Sequence, residues 1–256
     1  MDLDAQWIWT FLLLFARASA LAAVAPIFGS KGVPAPIRLG LALALSLGLT
    51  PMLRETVGPH PDNLIAIGAG VVQSALVGIA LGYTATLIIS AAEMAGQWLD
   101  TQIGFGMIHQ INPFTNFPSS LLAQFHYLLA LTIFAISDGH HILMAGLVRS
   151  FEFGSAPTAT ALAHGAMSGA ATLLTQAIML AAQIAAPAIG ALFITDAAMA
   201  AVSRAVPQIP VWIVGMPAKI LIGISAVAVA LPALLWGSQR IIALIAESLA
   251  GLARLL

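Results

Sequence analysis

A charge set inside a long apolar run persists only where a partner, a proton or a wet cavity compensates it, so such residues mark the places where this chain could do chemistry. Arg17, Glu93, Asp196, Arg204 and Lys219 are of this kind. They are candidates for a proton or ion pathway or, more simply, for pairs between helices and for side chains that snorkel to an interface. Glu93, Gln97 and Asp100 stand at i, i+4 and i+7, which a helix gathers into one polar stripe. Such a stripe faces water at an interface, or else a protein-lined passage or a partner subunit. Asp138, His140 and His141 form the only cluster of metal-ligand type. Adjacent histidines point in different directions on a helix and a further ligand is not evident, so a plain turn is the simpler reading. The HExxH spacing of zinc proteases is absent. Ser155 and Ser168 lie near glycines, with His126 and His164 elsewhere, a scatter that arises by chance and does not argue for an intramembrane hydrolase. There is no phosphate-cradling glycine loop, which excludes ATP hydrolysis by this chain. With no cysteine, thiolate chemistry and disulfides are excluded too. No enzyme activity, metal or cofactor is expected.

The composition says what must hold these residues. Only 7% of the 256 residues are Asp, Glu, Lys or Arg and 60% are hydrophobic, with a mean hydropathy of +1.00. A soluble domain carries roughly a quarter of its residues as charges. Residues 63–92, 101–137 and 153–195 contain none. Such a chain belongs in lipid, where backbone groups must be satisfied internally and long apolar runs become helices. At roughly 20 residues per span, the length suits a single integral domain, 1–256, of about five to eight helical segments. The net charge of −1 offers no basic surface, so nucleic acid is not an expected partner. Asp2 and Asp4 precede the first apolar run, where a cleavable signal peptide would carry basic residues, so that run is expected to be a retained helix.

Along the chain, residues 7–28 read as a first helix and 37–51 as a short second one, with Pro36 near its start. Residues 54–62 are a loop. The run 64–102 is too long for one simple span, and its Gly78-x-x-x-Gly82 lets another backbone approach closely. Residues 121–137 form another helix, followed by a turn at 138–141 and a short amphipathic helix to 151. Residues 164–195 follow, with Gly165-x-x-x-Gly169 and a kink expected at Pro187. A last apolar helix is expected at about 218–235, and 238–256 is amphipathic. Lys31, Arg38, Arg54, Arg240 and Arg254 favour no consistent side, so charge counting assigns no topology.

Residues 103–120 break this pattern. Gly104, Gly106, Asn112-Pro113, Asn116 and Pro118 forbid a regular helix, yet Met107, Ile108, Ile111, Phe114 and Phe117 keep the stretch apolar. Loops are polar because they face water. An apolar, broken loop must pack inside protein or close something.

The stretch VPQIPVWIVGMPAKILIG at 206–223 resembles the C-terminal signature of the flagellar biosynthesis protein FliR family and its injectisome counterparts, the export-gate subunits of type III secretion. Residues 17–45, 78–104, the Asn112-Pro113 loop and DGHHILMAGLVRSF at 138–151 agree in the same order, so the resemblance covers essentially the whole chain. It implies an all-α polytopic membrane protein whose kinked helical hairpins pack into a hetero-oligomeric gate with FliP-like and FliQ-like subunits. It further implies FlhB-like and FlhA-like export components, a flagellar basal body in the bacterial inner membrane, and unfolded proteins as cargo. Energy would come from a partner ATPase and the proton gradient. In the family an apolar loop plugs the pore; here that loop is about 106–118, with Met107, Ile108, Ile111, Asn112, Pro113, Phe114 and Phe117 as gating candidates. Asn112 stands where many relatives carry Asp, so a role needing charge there does not transfer. An injectisome gate is the nearest alternative. A stand-alone transporter would show inverted repeats and a midplane polar site, and no convincing internal repeat is present.

Overall fold

A computed structural model describes residues 4–30, 32–105, 120–152, 159–208, 213 and 215–229, with backbone alone at 152 and 159–168. Among them the chain is all-helical, in chain order α1 (Ala5–Val24), α2 (Ala35–Leu53), α3 (Leu64–Ile103), α4 (Leu121–Ile136), α5 (Gly139–Glu152) and α6 (Ala159–Ala205), then α7 (Gly215–Val229). Among the described residues, four helical stretches are long and apolar enough to cross a membrane, and a fifth is added if α4 and α5, bent by 67° at their junction, count as one broken span. The chain is a polytopic membrane protein. Packing divides the described residues into two units, one of residues up to 88 together with 134–174, the other of 89–133 with 175–229.

Local chemistry sets the helix ends. Asp4 caps α1 by accepting a hydrogen bond from Trp7 N at 2.9 Å, and its carboxylate also pairs with Arg54. Gln6 then ties down the loop after α2: its amide donates to Val57 O and Gly58 O at 3.2 and 3.1 Å, and its carbonyl accepts from His60 N at 3.0 Å. The first helix ends four residues before the expected 28. Pro26 pushes Ala25 into an extended conformation (φ −60°, ψ 146°), which stops the helix at Val24. The run 64–103, expected to exceed one span, is one unbroken helix of 40 residues. It contains glycines but no proline, and a lone glycine weakens a helix without breaking it. At 1.5 Å per residue it is about 60 Å long, twice the hydrocarbon thickness. The helix expected at 164–195 likewise extends to 159–205, carrying Pro187 in its interior.

In the first unit, Leu14, Leu53 and Phe151 form a core backed by Leu13, Leu49 and Val148. Ala42, Ser46, Thr50 and Leu53 are the buried face of α2, and Ser46 and Thr50 satisfy their hydroxyls on the carbonyls one turn back, each at 2.6 Å. Ile37, Leu39, Leu43 and Leu47 of the same helix are exposed. The Gly78-x-x-x-Gly82 face meets α1. A Cβ at Gly82 would lie 3.0 Å from Leu21 O and 3.1 Å from Ala25 N, and one at Gly78 would strike Arg17 O. Thr86, one turn on, donates to Val24 O at 2.8 Å. At the second motif, a Cβ at Gly169 would meet nothing within 4 Å among the described residues.

Candidate functional site

The loop that the sequence singles out, with Met107, Ile108, Ile111, Asn112, Pro113, Phe114 and Phe117, lies outside the described residues. Its two stems are described, and they meet at one residue. The backbone of Asp100 ends α3: its carbonyl accepts from Gly104 N and Phe105 N, each at 3.0 Å. This bonding needs a left-handed residue after the helix, and Gly104 supplies it with φ 100°. The side chain of Asp100 starts α4: Oδ2 accepts from Leu122 N at 3.0 Å and Ala123 N at 3.3 Å, and from the Ser120 hydroxyl. A carboxylate at a helix N-terminus also meets the positive end of the helix dipole. The reach is short because Gly96, one turn before Asp100, lets α3 touch α4; a Cβ there would stand 2.5 Å from Ala123 Cα, Ala123 N and Leu122 O.

The polar stripe therefore divides. Asp100 is buried, with 3% exposure, and its carboxylate is turned to α4. Glu93 is half-buried and Gln97 exposed. Gln102, on the next turn, donates to Asp196 Oδ2 at 3.0 Å, and Asp196 pairs with Lys219. One carboxylate thereby joins the end of α3 to α6 and α7. Nearby on the same two helices, an apolar groove of about 620 Å³ runs between Pro187 and Ala191 of α6 and Leu221, Ile222 and Ser225 of α7.

Arg17 also finds partners rather than a pathway. Its guanidinium donates to Ser74 Oγ at 3.2 Å, to Ser150 O at 3.0 Å and to Ser150 Oγ at 2.8 Å, and lies 3.6 Å over the Phe151 ring. One side chain thus bridges α1, α3 and α5 through hydrogen bonds and a cation–π contact. Arg204 is exposed at the end of α6.

Asp138, His140 and His141 sit at the α4–α5 turn with their ligand atoms within 4.8 Å of one another. Asp138 adopts φ 56° there, and Gly139 packs against Phe134 where no side chain would fit. Asp138 Oδ1 lies 3.3 Å from His141 Nδ1, and both side chains are largely exposed. The positive end of α5 faces the cluster and works against a cation. His126 is buried with Nδ1 on Leu122 O at 2.7 Å, a bond within its own helix.

Sequence reading missed Gly96, Ser74 and Ser150. The only signal for the serines was the need of Arg17 for hydrogen-bond acceptors. Gly96 follows Glu93 by three residues inside a stripe that draws attention to its polar members.

The family described as bacterial export proteins, family 1, matches residues 8–245. The flagellar biosynthetic protein FliR of Bacillus subtilis is 33% identical over 224 residues, 83% of this chain and 82% of that protein. That of Caulobacter vibrioides is 29% identical over 231 residues, 90% and 92%. The Yop proteins translocation protein T of Yersinia pestis is 25% identical over 223 residues, 85% and 84%.

Proposed function

The chain belongs to family 1 of the bacterial export proteins, alongside the flagellar biosynthetic protein FliR, and from that premise we propose that it is the FliR-type subunit of a flagellar type III export gate. In this reading residues 1–256 act as one integral domain in the bacterial inner membrane, at the flagellar basal body. The subunit assembles with FliP-like and FliQ-like subunits, works beside FlhB-like and FlhA-like components, and passes unfolded proteins. The observation that carries the reading is collinear similarity to export proteins over residues 8–245. A flagellar assignment is favoured over the injectisome by identity: 33% to a flagellar relative against 25% to the Yersinia translocation protein.

The mechanism is a seal that yields. Apolar constrictions close pores to ions by excluding water, and residues 106–118 combine helix breakers with Met107, Ile108, Ile111, Phe114 and Phe117. Such a loop between α3 and α4 would lie across the passage at rest and be displaced by an unfolded chain. Replacing Met107, Ile108, Ile111 and Phe114 together with Ser should leave the assembled complex intact and make it leak ions, read as conductance after reconstitution in liposomes. An assembled variant as ion-tight as the parent would remove the seal from this loop.

A further inference from the structure

The groove between α6 and α7 is apolar along its length and ends near a pair of charges. Lys219, Ile222, Ala226 and Val229 fall at i, i+3, i+7 and i+10, one stripe of α7. The last three line the groove, and Pro187 and Ala191 of α6 line it with little side chain, which leaves the space open. Lys219, one turn before Ile222, pairs with Asp196 Oδ1, while Gln102 holds Asp196 Oδ2 at 3.0 Å. Asp196 ends the uncharged run 153–195, and Lys219 precedes another at 220–239. The pair therefore marks the polar end of two apolar runs. Its side chains keep 25% and 35% exposure for Lys219 and Asp196. An ammonium has three N–H donors and Asp196 takes one among the described residues; each carboxylate oxygen likewise accepts more than one bond.

Size decides what fits beside this pair. From Leu221 to Val229 the groove follows about 12 Å of α7 at 1.5 Å per residue, so its 620 Å³ give a cross-section of about 50 Å². A helix with its side chains, 10–12 Å across, needs about 80–110 Å². The groove is too narrow for a partner helix and suits hydrocarbon chains. We infer that it seats a phospholipid of the surrounding bilayer, with an acyl chain along α7 and the headgroup on Lys219 and Asp196. The pair selects the headgroup: a phosphate accepts from the spare N–H groups of Lys219, and a primary ammonium donates to Asp196. Phosphatidylethanolamine carries both. Phosphatidylglycerol has no cation and sets its phosphate beside Asp196 without compensation. Charges at the edge of hydrocarbon are costly unless paired, and this headgroup supplies a partner of each sign. The inference goes beyond the export-gate assignment and requires only that the chain is a membrane protein.

The test uses the full chain in vesicles of equal phosphatidylethanolamine and phosphatidylglycerol. A trace of either lipid carries a diazirine on its acyl chain, and cross-links are located by peptide mass spectrometry after irradiation. Residues 221–229 should be labelled about threefold more by the ethanolamine probe than by the glycerol probe, the scale of one part-exposed ion pair. Val72 and Leu76, exposed on an uncharged part of α3, should be labelled equally by both. Lys219→Gln should remove the preference and Lys219→Arg should keep it. Ala226→Phe should fill the groove and remove labelling of 221–229 by both probes. Equal labelling of 221–229 in the parent would make the groove an ordinary part of the lipid belt and overturn the inference. No labelling there, with α3 labelled, would show that protein covers the groove and would overturn it as well. A preference that survives in Lys219→Gln would remove the headgroup from the pair. Should Lys219→Gln not fold, the probe ratio in the parent and the loss of labelling in Ala226→Phe decide the matter.

Discussion

Single residues in this protein settle charges that lipid would not tolerate. Arg17 shows how: instead of a carboxylate it uses two serines, a carbonyl and an aromatic face drawn from two other helices. Hydrogen bonds to a charged group each contribute about 1.5–3 kcal/mol, and truncating the charged partner leaves the serine hydroxyls to repair themselves. Arg17→Ala is therefore expected to lower stability by ~2 kcal/mol or more, seen as a fall in thermal or denaturant unfolding midpoint in detergent. Arg17→Lys should recover only part of it, because an ammonium lacks the planar fork that reaches Ser74 and Ser150 together. Arg204→Ala, at an exposed position, should change nothing. Equal unfolding midpoints for the parent and Arg17→Ala would show that the bridge is idle.

At the scale of elements, small residues decide which helices touch. Gly78 and Gly82 bring α3 against the backbone of α1, whereas Gly169 meets nothing within 4 Å among the described residues. Overpacking a close helix contact costs about 1–3 kcal/mol. Gly78→Leu should accordingly destabilise the protein and Gly169→Leu should not, by the same unfolding measurement; the reverse order would contradict the packing described. These contacts also show what the sequence disclosed. A Gly-x-x-x-Gly face announces that a neighbour comes close, yet it does not say which neighbour, and the two motifs of this chain differ in that respect. Helix existence was legible from apolar runs, and the Asp138 turn from its Asp-Gly pair. Helix length was not: nothing local in 64–103 or 159–205 reveals that a run twice the membrane thickness stays continuous, since continuity depends on packing along its whole length. The stripe of Glu93, Gln97 and Asp100 was visible as a period, but the turning of Asp100 to cap α4 depends on a partner 20 residues away and on the approach allowed by Gly96, neither of which periodicity encodes.

The whole molecule leaves much apolar surface uncovered. The 18-residue apolar windows of the four candidate spans are only 22–33% buried, and Ile37, Leu39, Val72, Leu76, Phe193 and Ile194 are all well exposed. Lipid can cover such faces, and so can other subunits. Half-buried Glu93 beside exposed Gln97 on α3 argues for protein on at least one of them, because a carboxylate facing hydrocarbon is costly. This is the surface expected of a subunit built for a larger assembly, in keeping with its place among the bacterial export proteins. Co-expression with FliP-like and FliQ-like subunits from the same organism, followed by purification through a tag on this chain and determination of the complex mass in detergent, tests the export-gate assignment most directly. The prediction is one discrete complex containing all three proteins in fixed proportion, with this chain polydisperse when expressed alone. A monodisperse, stably folded monomer that ignores both partners would contradict it.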